Sequence, residues 1–285
     1  MSAGTEPLVV QPVEIRGPSA FGGDWRRFWN LVWLTAVAEY RTRYLHSWLG
    51  YAWSLLRPLM LFGVLYVVFS QVIRFGGDIE NYAALLLFNI MLFQFFSDAT
   101  TASVRCVARR ESLVRKMQFP RIVIPLSVVL TALLTAVMNL IAALLLISVI
   151  GVEPRLTWLL LPVVLIVLLV LITGVSLALS ALFPRFRDVE QIWTVIARAL
   201  FYGTPVLYPI EFVPDGFRSF VAAFNPLVPI FEQARIWVMD PDAPSMVEAA
   251  GGALGVAVAA TILVVTCLFG LWIFEREAPR VAEEL

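Results

Sequence analysis

Residues 122–150 read IVIPLSVVLTALLTAVMNLIAALLLISVI and contain no charged side chain. A membrane-crossing helix needs about 20 mostly apolar residues, because at about 1.5 Å per residue it must cover a hydrocarbon core about 30 Å thick. This stretch is long and apolar enough to cross a bilayer, and five other segments satisfy the same criterion. The six predicted spans are 54–73, 82–104, 122–150, 156–183, 191–208 and 249–274. The pattern predicts an all-α integral membrane protein with a single six-helix membrane domain at residues 50–275.

The overall composition agrees with a membrane protein. Of the 285 residues, 60% are apolar and 15% are charged, whereas soluble domains carry roughly 45–50% and about 25%. The 21 Lys and Arg balance the 21 Asp and Glu, so no nucleic-acid partner is expected. The chain has one histidine, two cysteines, no G-x-x-x-x-G-K-[ST] loop and no hydrolase motif. We therefore expect no catalytic residue, no metal and no cofactor on this chain itself.

Basic residues indicate how the chain is oriented, since cytoplasmic loops are enriched in Lys and Arg. Most of them lie before the first predicted span, between the second and third, after the fourth and after the sixth. The opposite side has Arg74, Arg155, Arg218 and Arg235. We therefore expect both termini in the cytoplasm, with residues 1–24 as a flexible N-terminus and residues 276–285 as a tail.

An amphipathic helix is predicted at residues 25–49, before the first span. Six apolar residues fall at the i, i+3, i+4, i+7, i+8 and i+11 positions of one helical face, and Asp24 is suited to the N-cap. These residues are Trp25, Phe28, Trp29, Val32, Trp33 and Ala36. The pattern is typical of a helix in the membrane interface, with tryptophans at headgroup depth. A membrane anchor without a further role is an equally good interpretation.

Two connections between spans have distinctive sequences. Residues 105–121 read RCVARRESLVRKMQFPR; the orientation rule alone explains a basic loop, whereas the length suggests a cytoplasmic helix at 105–118 that contacts a partner. Residues 209–248 contain apolar pieces too short to span, interrupted at Asn225-Pro226. They predict either two re-entrant half-helices in the outer leaflet or a hairpin that lies flat on the outer surface.

Few ionisable residues lie inside the predicted spans, and Asp98 and Arg198 are the informative ones. A charge at such depth is costly and usually faces a pathway or a partner; for Arg198, snorkelling to the inner headgroups is the alternative. His46 lies at the interface, where a structural role is expected. The third, fourth and sixth predicted spans have no carboxylate, which argues against a carrier driven by a proton or sodium gradient.

Several short motifs occur in order along residues 39–235. The first comprises Arg41, Arg43, Tyr44, Ser47, Leu49, Gly50, Trp53 and Pro58, with its acidic residue displaced to Glu39. The later ones are Leu113-Val114-Arg115-Lys116, Phe119-Pro120-Arg121 with Pro125, Arg187-Asp188, Thr204-Pro205-Val206 with Tyr208, and Asn225-Pro226-Leu227 with Arg235. Together they resemble the permease subunits of ATP-binding-cassette exporters of polysaccharides, the O-antigen, capsule and teichoic-acid group.

The resemblance implies a homodimeric permease in the bacterial cytoplasmic (inner) membrane, surrounded by membrane lipids. Each copy would dock a separately encoded ATPase that binds ATP and Mg, and the pair would export a lipid-linked glycan. The implied ATPase-docking residues are Arg109, Arg110, Glu111, Arg115 and Lys116. The implied substrate-path residues are Arg41, Arg43, Arg57, Tyr66, Phe69, Arg198, Tyr202 and Tyr208. The implied external gate comprises Asn225, Pro226 and Arg235.

Three other functions are compatible with parts of the sequence. The nearest is an ATP-binding-cassette exporter of drugs or lipids on the same fold. An ion-coupled secondary carrier would follow a proton or sodium gradient and ignore ATP. A membrane-embedded glycan enzyme would need catalytic groups at the membrane face, for which His46 and Asp98 are the candidates.

Overall fold

The computed structural model describes residues 25–44, 48–74, 79, 81–110 and 120–284. All regular elements in these ranges are helices. The longer ones are α1 (Trp25–Tyr44), α2 (Trp48–Val67), α3 (Tyr82–Val104), α5 (Val123–Ile150), α6 (Leu161–Leu182), α7 (Val189–Gly203) and α11 (Ala253–Glu284). The shorter ones are α4 (Cys106–Arg109), α8 (Asp215–Phe224), α9 (Leu227–Val238) and α10 (Met246–Ala249). A π-helical turn, Val68–Val72, extends α2, and a 3₁₀ turn, Leu156–Leu160, precedes α6.

Within the described residues, five helices are long and apolar enough to cross a membrane. They are Gly50–Val72, Tyr82–Val104, Val123–Ile150, Leu156–Leu182 and Ala253–Glu277. The all-α membrane fold is therefore confirmed, and five of the six predicted spans lie close to these helices. The remaining prediction, a full span at 191–208, is wrong in its length.

The helix at this position, α7, has 15 residues and ends at Gly203. It is about 22 Å long, which is less than the thickness of a hydrocarbon core. The early end has a local cause. Proline disfavours a helical backbone at the residue before it, and Thr204, which precedes Pro205, is extended with φ −101° and ψ 145°.

Buried apolar residues form three clusters along the bundle. The largest lies in the middle, with α3 at its centre. A second cluster joins α1, α4, the start of α5 and the C-terminal parts of α6 and α11. A third joins α8, α9 and α10 with the turn that follows α7. We call the end with α1 the basic end and the end with α8, α9 and α10 the far end.

The amphipathic helix α1 packs on the protein with only part of its predicted apolar face. Phe28, Val32 and Ala36 are buried against the second cluster, and the Ala36 carbonyl accepts a 3.2 Å hydrogen bond from the Thr131 hydroxyl on α5. The three tryptophans one row away, Trp25, Trp29 and Trp33, are exposed. The face therefore divides into a protein-facing row and an aromatic row suited to an interface.

Helices α6 and α11 approach each other most closely where small residues face one another. A Cβ atom added at Gly270 would lie 2.1 Å from the carbonyl oxygen of Gly174, and one at Gly174 would lie 2.7 Å from the Cα of Cys267. Close helix approach through small residues is a common way of packing helices in membranes. These two glycines therefore hold α11 against the bundle.

Candidate functional site

A cavity of about 460 Å³ opens at the basic end, between α1, α2, α3, α4, α5 and α7. Its wall carries many polar side chains although four of the six helices lie mainly within predicted spans. The lining residues are Arg43, Tyr44, Gly50, Trp53, Ser54, Arg57, Gln94, Asp98, Thr101, Ala102, Arg105, Arg109, Thr135, Asn139 and Glu190. We call this space the basic-end cavity.

Cations outnumber anions on the wall of the basic-end cavity. The wall has two carboxylates, Asp98 and Glu190, and four arginines: Arg43, Arg57, Arg105 and Arg109. Arg105 is engaged by Glu190, since its Nε donates to Glu190 Oε2 at 2.5 Å. The remaining excess of positive charge makes the cavity suited to an anion.

A second cavity, of about 350 Å³, adjoins the first along α3 and shares Gln94 and Thr101 with it. Its lining is partly aromatic, and we call it the mid-bundle cavity. The lining residues are Leu61, Ile90, Phe93, Gln94, Ser97, Thr101, Thr194, Ala197, Arg198, Phe201 and Tyr202. Phe201 packs edge-on against Phe93 with ring centroids 5.1 Å apart, and against Tyr202 at 5.3 Å. Such rings offer apolar faces with exposed edges.

One helical stripe on α3 contributes to both cavities. Gln94, Ser97, Asp98 and Thr101 fall at i, i+3, i+4 and i+7 and therefore share a face. The Gln94 amide donates a 2.6 Å hydrogen bond to Asp98 Oδ1. Sequence reasoning noted Asp98 but missed its three companions. Their spacing could have identified them, since polar residues at helical intervals inside a span indicate a face that lines a water-filled cavity.

Polar contacts join α3 to α7 and to the turn that follows it. After the Arg105–Glu190 pair at the basic end, Trp193 Nε1 donates to the Thr100 hydroxyl at 3.2 Å. Towards the far end, the Asn89 amide donates to the Pro205 carbonyl at 3.0 Å, and the Tyr82 hydroxyl donates to the Leu207 carbonyl at 2.9 Å. The last two bonds satisfy carbonyls of the non-helical turn that follows α7.

The structure brings together half of the implied substrate-path residues. Arg43 and Arg57 line the basic-end cavity, and Arg198 and Tyr202 line the mid-bundle cavity. The other four lie elsewhere. Arg41 is exposed on α1, Tyr66 stacks on Phe62 and Tyr82, Phe69 packs on the central cluster, and the Tyr208 hydroxyl donates to the Tyr202 carbonyl at 3.1 Å.

The implied docking residues are only partly described. Glu111, Arg115 and Lys116 lie outside the described residues, so no structural statement applies to them or to most of the predicted helix at 105–118. In the described part, one helical turn, α4, is bounded by non-helical backbone at Arg105 and Arg110. Arg109 is exposed.

Arg110, also an implied docking residue, has partners within the chain. Its Nη2 donates to Glu39 Oε2 on α1 at 2.5 Å, and its Nη1 donates to the Ser127 hydroxyl on α5 at 3.2 Å. Glu39 also pairs with Arg43 on α1, at 3.5 Å. The start of the basic loop is therefore tied to both α1 and α5.

The implied gate residues lie at the far end, where they hold α8 and α9. Asn225 Oδ1 accepts the backbone N–H of Leu227 at 3.1 Å, as in an Asx turn, and its amide donates to the Thr204 hydroxyl at 2.8 Å. The predicted interruption at Asn225-Pro226 is where α8 ends and α9 begins.

Arg235 is the centre of an ionic cluster at the far end. Its side chain is 7% exposed and contacts three carboxylates: Glu211 at 2.8 Å, Asp240 at 2.7 Å and Glu232 at 3.4 Å. Burial raises the pKa of Glu232 to about 7, although the charge of Arg235 acts in the opposite direction. The cluster fixes α9 to the segments on either side of it.

An all-helical bundle that carries a cation-lined cavity beside its membrane-crossing helices is typical of multi-pass membrane transport proteins. Residues 30–239 match the ABC-2 type transporter family, and the chain belongs to this family.

Relatives share much of the chain's length. The O-antigen export system permease protein RfbA of Klebsiella pneumoniae is 32% identical over 190 residues, which cover 66% of this chain and 72% of the relative. The protein of the same name from Myxococcus xanthus is 31% identical over 191 residues, covering 67% and 73%. The polysialic acid transport protein KpsM of Escherichia coli is 23% identical over 215 residues, covering 71% and 79%.

Proposed function

We propose that this chain is the permease half of an ATP-driven exporter of lipid-linked polysaccharide, of the O-antigen or teichoic-acid type. The observation that carries the proposal is the cation-lined basic-end cavity beside the aromatic mid-bundle cavity. Arginines bind phosphates through charge-assisted hydrogen bonds, and aromatic rings pack on sugar faces. The names of the relatives, O-antigen export and polysialic acid transport proteins, support a glycan as the substrate.

The energy comes from a separate ATPase subunit that binds ATP and Mg. The sequence has no phosphate-binding loop of its own. The ATPase docks at the basic end through residues 105–118, with Arg109, Glu111, Arg115 and Lys116 at the contact. In this arrangement Arg110 holds the start of the docking segment against α1 and α5 and does not itself bind the ATPase, because Glu39 and Ser127 already engage its guanidinium.

Two copies of the chain form the pore. Support comes from α2 and α7, whose inner faces line the cavities while their other faces leave large apolar residues exposed. These include Met60 and Val64 on α2, and Ile192 and Val195 on α7. A second copy placed against these faces encloses the open side of the path. Chemical cross-linking of the purified chain in nanodiscs tests this; a homogeneous monomer that still exports glycan with its ATPase contradicts it.

The basic end faces the cytoplasm of a bacterium, with the permease in the inner membrane. Labelling of single introduced cysteines with an impermeant maleimide tests this orientation. The sites are Thr42 on α1 and Glu153, just after the end of α5, and both are exposed. Cys106 gives a low background, because burial raises the pKa of its thiol to about 12. Labelling of Glu153→Cys but not of Thr42→Cys in intact spheroplasts is expected, and the reverse result contradicts the orientation.

The decisive experiment is transport in proteoliposomes that contain this chain, its cognate ATPase and a lipid-linked glycan. Export is expected only with both proteins and ATP. Undiminished export by this chain alone, or export that follows a proton gradient without ATP, contradicts the proposal. Export of an unglycosylated lipid or drug with no glycan export indicates the other exporter class on the same fold.

Substitutions separate the path from the docking surface. Arg57→Gln is expected to reduce glycan export while the ATPase still co-purifies. Reversal of charge at Arg115 and Lys116 is expected to abolish co-purification while leaving membrane insertion intact. Arg155→Gln is the matched control for both, since this arginine is exposed on the connection between α5 and α6; equal effects at Arg155 and at the tested positions count against both assignments.

A further inference from the structure

Asp98 is a carboxylate on the wall of a cavity that is otherwise suited to anions. It lies on α3, lines the basic-end cavity and is oriented by Gln94, whose amide donates to Asp98 Oδ1 at 2.6 Å. A negative charge at this place opposes the proposed substrate. Phosphate binding alone therefore does not explain why an acidic residue lies in the cavity.

Two other carboxylates at this end are engaged by arginines. Glu190 pairs with Arg105, and Glu39 pairs with Arg110 and Arg43. Within the ranges that the structure describes, neither Asp98 nor Arg57 is part of such an ion pair. Arg57 and Arg43 nevertheless line the same cavity as Asp98. Asp98 thus faces two arginines across an open space.

From this arrangement we propose that Asp98 is an internal counter-anion that limits how tightly the basic-end cavity holds the phosphate group of its substrate. The inference rests on the proposed function for the identity of the substrate. A transport path must bind its cargo favourably enough for uptake and weakly enough for release. With the cavity empty, Asp98 offsets the charge of Arg57 and Arg43; with a phosphate bound, it repels the phosphate.

The size of the cavity sets the strength of this effect. An anion at the centre of a space of about 460 Å³ lies about 5 Å from the wall, where the repulsion by one carboxylate is large in a protein environment and is reduced by water in the open cavity. We expect loss of the Asp98 charge to tighten the binding of a phosphate anion at least about tenfold. Asp98 is thereby a residue that sets affinity and release, and it takes no part in bond chemistry.

The test uses the full chain in nanodiscs with inorganic pyrophosphate as the probe, measured by isothermal titration calorimetry. Asp98→Asn is expected to bind pyrophosphate about tenfold more tightly than the unaltered chain, and Asp98→Glu to bind it with unaltered affinity. Unchanged or weaker binding by Asp98→Asn overturns the inference.

A second variant adds charge on the same stripe and does not depend on the stability of Asp98→Asn. Thr101→Asp places a carboxylate on the wall of both cavities, three residues from Asp98, and is expected to weaken pyrophosphate binding about tenfold. Thr101→Asn, matched in size, separates the charge from the added bulk. Equal losses in the two Thr101 variants overturn the inference.

Transport kinetics distinguish this inference from the proposed function. In proteoliposomes with the ATPase, Asp98→Asn is expected to lower both KM and kcat for the lipid-linked glycan, because tight binding slows release; a purely structural role lowers kcat without lowering KM. If the unaltered chain exports glycan and Asp98→Asn has an unaltered KM, the inference alone fails. If the unaltered chain exports no glycan although pyrophosphate binding responds to Asp98, the proposed function fails and the counter-anion stands.

Discussion

Replacing Arg235 by leucine should destabilise the far end of the protein by about 3–5 kcal/mol, because removal of one partner from a buried ion pair leaves an uncompensated charge. The exposure of the three carboxylates decides where this cost arises. The side chains of Glu211 and Asp240 are 37% and 40% exposed and can be hydrated again, whereas that of Glu232 is 3% exposed. The loss should therefore come mainly from Glu232.

The loss should depend on pH, with a sign that the structure determines. Because burial raises the pKa of Glu232 from 4.5 to about 7, its contribution to stability is fully present below about pH 4.5 and is lost as the pH rises through about 7. Arg235 lowers this pKa, so its removal raises the pKa further and extends the loss to higher pH. The difference in free energy of unfolding between the unaltered chain and Arg235→Leu should thus be larger at pH 8 than at pH 5.

The assay is unfolding of the purified chain in detergent micelles by titration with SDS, at the two pH values. Glu232→Gln in the Arg235→Leu background should restore most of the lost stability and remove the dependence on pH. Arg155→Leu, at an exposed site, is the control and should change stability by less than about 0.5 kcal/mol. A loss below about 1 kcal/mol for Arg235→Leu at pH 8, or no recovery in the double variant, would refute the reasoning.

Three further predictions concern the rest of the chain. Gly270→Ala should lower the free energy of unfolding by about 1–3 kcal/mol, because the added methyl group overpacks α11 against the backbone of α6. Gly63→Ala is the control and should not lower it, because Gly63 has open space around it in this chain. Equal midpoints of thermal unfolding for the two variants would contradict this prediction. Reversing the pair as Glu39→Arg with Arg110→Glu should recover about 1 kcal/mol relative to the sum of the two single changes, measured by a double-mutant cycle on SDS unfolding; additivity would show that the pair does not couple α1 to the basic loop. In the folded protein, Cys106 should resist maleimide at neutral pH, because burial raises the pKa of its thiol to about 12; rapid labelling without unfolding would disprove this burial.

Long apolar runs made most of the fold predictable, because hydrocarbon thickness imposes a length that few soluble helices reach with so little charge. The error at residues 191–208 came from counting apolar residues without stopping at Thr204-Pro205. The proline there ends α7, and Asn89 and Tyr82 on α3 stabilise the turn that follows it. Such distant partners cannot be read from the local sequence.

The site was predictable only where a charge stood out in an apolar context. Asp98 and Arg198 were identified in this way, and the cavities include both, whereas Arg57 was implied only by the family resemblance. The Arg105–Glu190 pair joins residues 85 positions apart, so no local pattern indicates it. The apolar face predicted for α1 contains a row that packs on the protein and a row of exposed tryptophans. The sequence did not predict this difference, because periodicity shows which residues share a side of the helix and not which of them contact protein.

Helix α3 has the lowest mean hydropathy of the five long apolar helices, 1.5 against 3.0 for Leu156–Leu182, and most of its residues are buried inside the chain. A span that is surrounded by other helices has little contact with lipid and does not have to be apolar on every side. It can therefore carry the amide, carboxylate and hydroxyl groups that line the cavities. The same polar groups make it the least favourable of the five helices for insertion on its own. During biosynthesis α3 should therefore remain at the translocon until α5 and α6 emerge to surround it, so that the residues suited to transport also determine the order in which the protein is assembled.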